Sequence, residues 1–335
     1  MKPPAIEQAF VLGAGLGTRL RPLTEELPKP LVPIFQKPLI TFAFDQLIDL
    51  GIQKFFVNTH HQPERFEEIL GRDAALRRPG PRSARSLPYR DRVIEFFHEP
   101  ILLETAGGIA NLADSLGEGP LLVYNGDILA DLPLAPLLEA HFSSDHAVTL
   151  ALRSAGGPQH IAFDAGRGRV LDIHNQLSSG APEEFVFTGI YIVNRTFVNL
   201  LERGVKRSVI PVFLELLRRG QAIGGVVIDE GHWWDVGNRE AYLQLHRDLP
   251  TLPFPAYPVA DSGWREAVHV SAEVDPAAEV RGCSVIGAGC RVEAGALLDD
   301  TIVWPGAQIA SRSDLHGCIV RSQKRVEGMH RHTDI

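Results

Sequence analysis

Cysteine is scarce in this chain. There are three in 335 residues, Cys283, Cys290 and Cys318, all near the C-terminal end and without Cys-x-x-Cys spacing. An odd, late and unpaired set argues against a disulfide framework or a zinc ribbon and favours buried, reduced thiols. Positive charge is also short: 33 Lys and Arg against 41 Asp and Glu give a net charge of -8. Nucleic acid or an anionic membrane would demand a broad basic field, so neither is expected as a partner. No apolar run approaches the roughly 18 residues of a membrane span, and the first residues carry no signal-peptide h-region. A cytoplasmic protein that handles small molecules is the expectation. Anionic substrates must then be met by local cations.

Glycine is plentiful, and it is concentrated where it matters. Phe10 to Leu12 ends a short apolar run, and Gly13, Gly15 and Gly17 follow at alternate positions. Glycines let a backbone turn with positive φ and bring its N–H groups close to phosphate oxygens. Thr18 and Arg19 come next, and Lys29 stands between Pro28 and Pro30. Arg19 and Lys29 supply fixed positive charge, so the stretch reads as a cradle for a polyphosphate. A dinucleotide fingerprint would place glycine where Thr18 stands, and a Walker A loop would read Gly-Lys-Ser/Thr; the chain has neither.

Downstream, helical and strand periods alternate. Helices are expected over 39–50, 63–70, 136–142, 209–217 and 239–249, with another from about 104 through Leu116. Strands are expected at 54–58, 93–98, 121–127, 147–153, 185–193 and 222–228, and a hairpin at 160–164 and 170–174. Strand and helix in this rhythm predict an α/β fold with a mostly parallel sheet covered on both faces. Its ligands would gather beyond the carboxyl ends of the strands, where the glycine run lies. Residues 71–92 interrupt the rhythm with seven arginines and read as a surface loop, or as a lid carrying arginine to phosphate.

Four prolines between 250 and 258 mark a stiff linker, placed at 250–262. Beyond it Val268, Val274, Val280, Ile286, Val292 and Leu298 recur every six residues, and Ile309 and Leu315 resume the period after a slip near Trp304. A six-residue period predicts a left-handed parallel β-helix of hexapeptides over 263–322, about three coils, with a frayed tail at 323–335. A short β-helix leaves strand edges and a flank to cover, so a homo-oligomer, a dimer through the β-helix, is expected. A chain ending near Leu249 is expected to keep its activity and lose that contact.

The residues from Gly13 to Arg19, Arg21-Pro22-Leu23-Thr24 and Pro28-Lys29-Pro30-Leu31 resemble the signature of the sugar-1-phosphate nucleotidylyltransferases. Later motifs carry the likeness to about residue 248, and the catalytic domain is set at 1–249. The resemblance implies a Rossmann-like nucleotidyltransferase fold. It also implies a reaction that joins a nucleoside triphosphate to a sugar 1-phosphate and releases pyrophosphate. Leu12, Gly13, Ala14, Gly15, Gly17, Thr18 and Arg19 would hold the nucleotide, together with Thr105, Ala106 and Gly107, whose small size leaves room for a flat ring. Asp127, which ends an apolar strand, and Asp235, in His232-Trp233-Trp234-Asp235-Val236-Gly237, match the family's magnesium ligands. Arg19, Lys29, Asp127 and Asp235 are therefore the expected catalytic set. Asn125, Asn175 and Gly189 fall at the sugar side, although His174-Asn175-Gln176 stands where many relatives carry Glu-Lys-Pro.

The segment 103–108 with 125–127 is most similar to N-acetylmuramate-1-phosphate uridylyltransferases, which favours UTP. The hexapeptide region is similar to that of mannose-1-phosphate guanylyltransferases, which makes GTP the alternative. Two other classes compete. A hexapeptide acyltransferase would need a catalytic histidine, for which His269 and His316 are the candidates. A non-catalytic ligand sensor would be expected to have lost Arg19, Lys29 or an aspartate, and all are present.

Overall fold

The structure, a computed structural model, describes residues 6–71, 85–180, 183–254 and 263–335. The stiff linker expected at 250–262 falls largely outside them. The chain divides into two compact units, and the division does not follow chain order. One unit comprises residues 1–16 and 42–235, the other residues 17–41 and 236–335. The chain thus passes from one to the other inside the glycine run and again directly after Asp235.

The first unit is built on a ten-stranded sheet. Gln8–Leu12 lies between Lys54–Thr59 and Leu121–Asn125, parallel to both, and Arg92–His98 extends the parallel set beyond Lys54–Thr59. The three inner strands are largely buried apolar runs, as a sheet covered on both faces requires, whereas Arg92–His98 alternates buried and more exposed positions. Past Leu121–Asn125 the pairing is mainly antiparallel, with Gly224–Val227 parallel to Val148–Arg153. Glu184–Val193 runs against both Leu121–Asn125 and Val148–Arg153, and Gln159–Asp164 pairs with Arg169–Ile173 as the expected hairpin. The sheet is therefore mixed, not mostly parallel. Parallel neighbours need a crossover helix, and the short loop 165–168 can only return the chain antiparallel.

Helices Leu39–Asp49, Pro63–Leu70, Ala135–Phe142, Val209–Arg218 and Arg239–Asp248 stand within a residue or so of their expected bounds, whereas Glu104–Asn111 stops short of 116. The Arg-rich stretch is only partly a loop. Arg85–Tyr89 forms an edge strand antiparallel to Arg92–His98, while 72–84, on which most of the lid expectation falls, lies outside the described residues.

In the second unit, strands of two or three residues stack in three parallel sheets. Glu273–Val274, Arg291–Val292, Gln308–Ile309 and Arg325–Val326 form one of them. A second runs from Glu279–Arg281 to Met329–Arg331. The tail expected to fray is thus the last layer of the stack: Arg325–Val326 and Met329–Arg331 pair in register, and Ile335 N–H donates to Ile319 O at 2.9 Å. In the first of these sheets successive layers are spaced by 18 residues at first (Val274 to Val292) and by 17 thereafter (Val292 to Ile309 to Val326), while the last step of the second sheet shortens to 15 (Leu315 to His330). The slip in the hexapeptide period is therefore a recurring one-residue-shorter corner. Inside that corner Ser284, Thr301 and Cys318 follow one another layer by layer. Ser284 Oγ accepts from Thr301 N–H (3.0 Å), and Thr301 Oγ1 from Cys318 N–H (3.4 Å). Cys290 and Cys318 are buried free thiols, as expected, and Cys283 is half-buried.

Candidate active site

The carboxyl end of strand Gln8–Leu12 enters the glycine run, and neighbouring strands hold the backbone there. Gly126 N–H donates to Leu12 O at 3.0 Å, and a side chain at Gly126 would meet that oxygen at 2.5 Å. Gly13 is equally confined, since a Cβ would stand 2.6 Å from Asn58 O. Its N–H and that of Ala14 both donate to Asn58 Oδ1, at 2.9 and 3.2 Å. These two hydrogen bonds fix the start of the glycine loop against strand Lys54–Thr59.

Sequence alone does not single out Asn58. It lies near the end of a strand, 45 residues beyond Gly13, and its orientation is fixed by Glu99, whose Oε1 accepts from Asn58 Nδ2 at 2.8 Å. Glu99 also accepts from Leu103 N–H at 2.9 Å. Burial pushes the Glu99 carboxyl above its usual range, and the bond from Asn58 works against that shift. Gly108 makes room for the pair, because a Cβ there would stand 3.0 Å from Asn58 Nδ2.

The segment expected to face a nucleotide base is held by the backbone of residues 205–209. Ala106 and Gly107 are buried, and their N–H groups donate to Arg207 O at 2.9 and 3.1 Å. A Cβ on Gly107 would stand 2.4 Å from Val205 O, so its smallness admits the chain's own backbone. Thr105 Oγ1 accepts from Val209 N–H at 2.8 Å, at the start of helix Val209–Arg218. Residues 205–209 thus pack against this segment.

Asp127 and Asp235 lie at the same end of a two-stranded ribbon. Trp233–Asp235 runs antiparallel to Ile128–Ala130, with Asp235 opposite Ile128. The two aspartates, far apart in sequence, stand one register position from being directly opposed. The ribbon is clamped at its far end by Asp131, whose Oδ1 accepts from His232 N–H and whose Oδ2 lies 3.0 Å from His232 Nδ1. Trp233 Nε1 donates to Thr188 O (2.9 Å), and Thr188 Oγ1 donates to Ala151 O (2.8 Å). That ties the ribbon to the bulged middle of strand Glu184–Val193, where the register shifts between Phe187 and Tyr191.

Gly189 sits in that bulge with φ of 80°. A Cβ there would stand 2.4 Å from Asn125 Nδ2, so the expected sugar-side residues Gly189 and Asn125 are packed against each other. Asn175 stands apart in sheet order. It follows strand Arg169–Ile173, which reaches the strand of Gly189 through Gln159–Asp164. Next to it the rings of His160 and His174 stack at 4.3 Å, and burial pushes the His160 pKa down.

The cationic residues belong to the second unit. Gly17 has φ of 55°, its carbonyl accepts from Thr24 Oγ1 at 2.9 Å, and a Cβ on it would meet Thr24 Cγ2 at 2.7 Å and Lys29 Cβ at 3.2 Å. Thr18 and Arg19 open a short 3-10 turn, whereas Lys29 is only 6% exposed. Glycine at 17 is therefore demanded twice, by its left-handed backbone and by the closeness of the lysine stem.

The acyltransferase candidates are held within the stack. His316 lies between Asp299 (3.2 Å) and Asp314 (3.0 Å), and His269 Nδ1 is 2.8 Å from Ser271 Oγ.

Comparison with known proteins supplies the family. The profile of the nucleotidyl transferase family matches residues 8–251. A mannose-1-phosphate guanylyltransferase of Mycobacterium tuberculosis is 30% identical over 93% of this chain and 82% of its own. An N-acetylmuramate alpha-1-phosphate uridylyltransferase of Neisseria meningitidis is 29% identical over 69% of this chain and 93% of its own. Among solved structures, HddC from Yersinia pseudotuberculosis superposes with a TM-score of 0.56 at 20% identity, covering 72% of this chain and 98% of that one. The chain belongs to the nucleotidyl transferase family, as one of its sugar-1-phosphate nucleotidylyltransferases.

Proposed function

We propose that this enzyme joins a nucleoside triphosphate to a sugar 1-phosphate using one divalent cation held by Asp127 and Asp235. The observation that supports the proposal is the ribbon in which Asp235 pairs with Ile128, the residue that follows Asp127. Two carboxylates, with the remaining positions left to substrate phosphates and water, are the donor set magnesium takes in phosphoryl-transfer sites. When bound there, the ion supplies positive charge for phosphate oxygens. In the reaction, an oxygen of the sugar 1-phosphate attacks the α-phosphorus, the bond from that phosphorus to the bridging oxygen breaks, and pyrophosphate leaves with the electron pair. A phosphate monoester, with a second pKa of ~6, is already largely dianionic at pH 7 and needs no general base. The barrier is mutual repulsion of anions, so fixed cations and positioning should dominate. Arg19 and Lys29 neutralise the charge that grows on pyrophosphate, and Asn125 with Gly189 shapes the sugar side. The stack of three parallel sheets is read as a short left-handed β-helix.

Guanylyl transfer to a hexose 1-phosphate such as mannose 1-phosphate is the first pairing to test, because the Mycobacterium tuberculosis similarity runs through both units. UTP with N-acetylmuramate 1-phosphate is the second, supported by the Neisseria meningitidis protein over 69% of the chain. Pyrophosphate release from four nucleoside triphosphates against a panel of sugar 1-phosphates tests both. A protein that released pyrophosphate with none of these pairs would contradict the reading.

Lys29→Ala should slow turnover more than tenfold, since a charge-assisted contact contributes about 1.5–3 kcal/mol. Arg19→Lys should also be damaging, because an ammonium cannot reproduce the planar fork. A silent Arg19→Lys in initial-rate assays would make Arg19 structural. Gly189→Ala introduces a side chain at positive φ and drives it into Asn125. Turnover should fall by about tenfold or more through displacement of Asn125. An unchanged KM for the sugar 1-phosphate together with unchanged kcat would remove Asn125 from the sugar side.

A further inference from the structure

A buried cluster in the second unit grips the segment that carries Lys29. The chain leaves Lys29–Leu31, forms the small hairpin Pro33–Ile34 and Lys37–Pro38, and turns through Phe35 and Gln36. Phe35 has φ of 52°, which a bulky residue adopts only when its surroundings hold it there. Its N–H donates to His246 Nε2 at 3.2 Å, while Nδ1–H of the same ring donates to Tyr242 O at 2.9 Å. That pattern requires a neutral ring, and burial lowers the His246 pKa to about 4. Tyr242 Oη donates to Pro33 O at 2.5 Å and accepts from Trp304 Nε1 at 3.0 Å. Trp304, fully buried, belongs to the stacked sheets. Gln36 reaches the same region, its N–H donating to Trp264 O (3.1 Å) and its Nε2 to Glu266 O (2.8 Å) and Ile286 O (3.1 Å).

These partners lie more than 200 residues away in sequence, and none is a phosphate-handling residue. Between them they fix the hairpin whose first strand begins two residues after Leu31. We propose that Tyr242, His246 and Trp304 are positioning residues for Lys29, so that the C-terminal stack serves the chemistry by holding the cation-bearing segment in place. This inference rests on the assignment of Lys29 to the triphosphate.

The test uses the full chain with Tyr242→Phe, Trp304→Phe and Lys29→Ala, each followed by steady-state kinetics for both substrates and by thermal melting. Tyr242→Phe keeps the ring and removes only the hydroxyl. Its kcat should fall about tenfold through misplacement of Lys29, with the KM of the sugar 1-phosphate within about twofold and melting still above the assay temperature. A packing role alone would not produce that split. Folded Tyr242→Phe and Trp304→Phe proteins with wild-type kinetics, beside an impaired Lys29→Ala, would overturn the positioning role and leave the phosphate assignment standing. A silent Lys29→Ala would overturn both. Should Tyr242→Phe fail to fold, Trp304→Phe carries the same test by removing the indole N–H that Tyr242 Oη accepts, with a smaller fall in kcat expected and wild-type kinetics overturning the proposal.

Discussion

Asp127→Asn and Asp235→Asn are each expected to lower turnover at least about a hundredfold while leaving the fold intact. Each substitution keeps the shape of the side chain and removes one unit of negative charge from a two-carboxylate set. A cation held by one carboxylate and an amide is bound more weakly, and less positive charge reaches the phosphates. The backbone would be little disturbed, because the ribbon is held by its own pairing and by the Asp131–His232 and Trp233–Thr188 contacts, none of which uses either carboxylate. Raising the magnesium concentration should recover part of the lost rate in both variants. Near-wild-type turnover in either one, at ordinary magnesium, would remove that aspartate from the metal site.

Ending the chain after Leu249 should abolish most activity and leave residues 17–41 open to proteolysis. The sequence alone suggests the opposite, a separable catalytic domain whose removed β-helix costs only an oligomeric contact. Structure gives the reason for the reversal. The cut deletes Trp304, which donates to Tyr242, together with the carbonyls of Trp264, Glu266 and Ile286 that receive Gln36. It also deletes Asp334, which pairs with Arg239 at 2.7 Å, and Ser322, whose N–H donates to Glu26. Losing one large buried aromatic alone costs about 3–5 kcal/mol, a large part of the stability of an ordinary domain. Helix Arg239–Asp248 and residues 17–41 of the same chain cover part of the stack that the sequence leaves open for a second subunit. Initial rates and limited proteolysis of the truncated protein test this; a protease-resistant, fully active truncation would contradict it.

Much of this arrangement can be read before any coordinates exist. Long apolar strands and amphipathic helices declare themselves by period, which is why helix Pro63–Leu70 and strand Leu121–Asn125 fall where expected. Asp127 and Asp235 are legible only as a matched pair, since either alone resembles a turn or capping residue. Other features are hidden for identifiable reasons. Asn58 looks like any polar residue closing a strand, and its importance comes from two amides 45 and 44 positions upstream. The small residues at 106–108 are legible as room beside the backbone, but that Gly107 admits backbone from Val205 is a tertiary contact no local pattern encodes. The last layer of the stack is hidden because its strands are two or three residues long and the spacing between layers shortens from 18 to 17 and finally to 15. Residues 17–41 belong to the same unit as the stack and are joined to the rest of that unit by hydrogen bonds spanning more than 200 residues, which no local pattern encodes.

The central claim is nucleotidyl transfer at the α-phosphorus, and one labelling measurement addresses it directly. The full-length enzyme is given magnesium, a sugar 1-phosphate and a nucleoside triphosphate labelled in its α-phosphate, and the products are separated. The label is expected to pass quantitatively into a nucleoside diphosphate sugar, with one unlabelled pyrophosphate released for each, and neither should appear when the sugar 1-phosphate is omitted. Label recovered in free nucleoside diphosphate with inorganic phosphate as the co-product would place the attack at the γ-phosphorus and contradict nucleotidyl transfer.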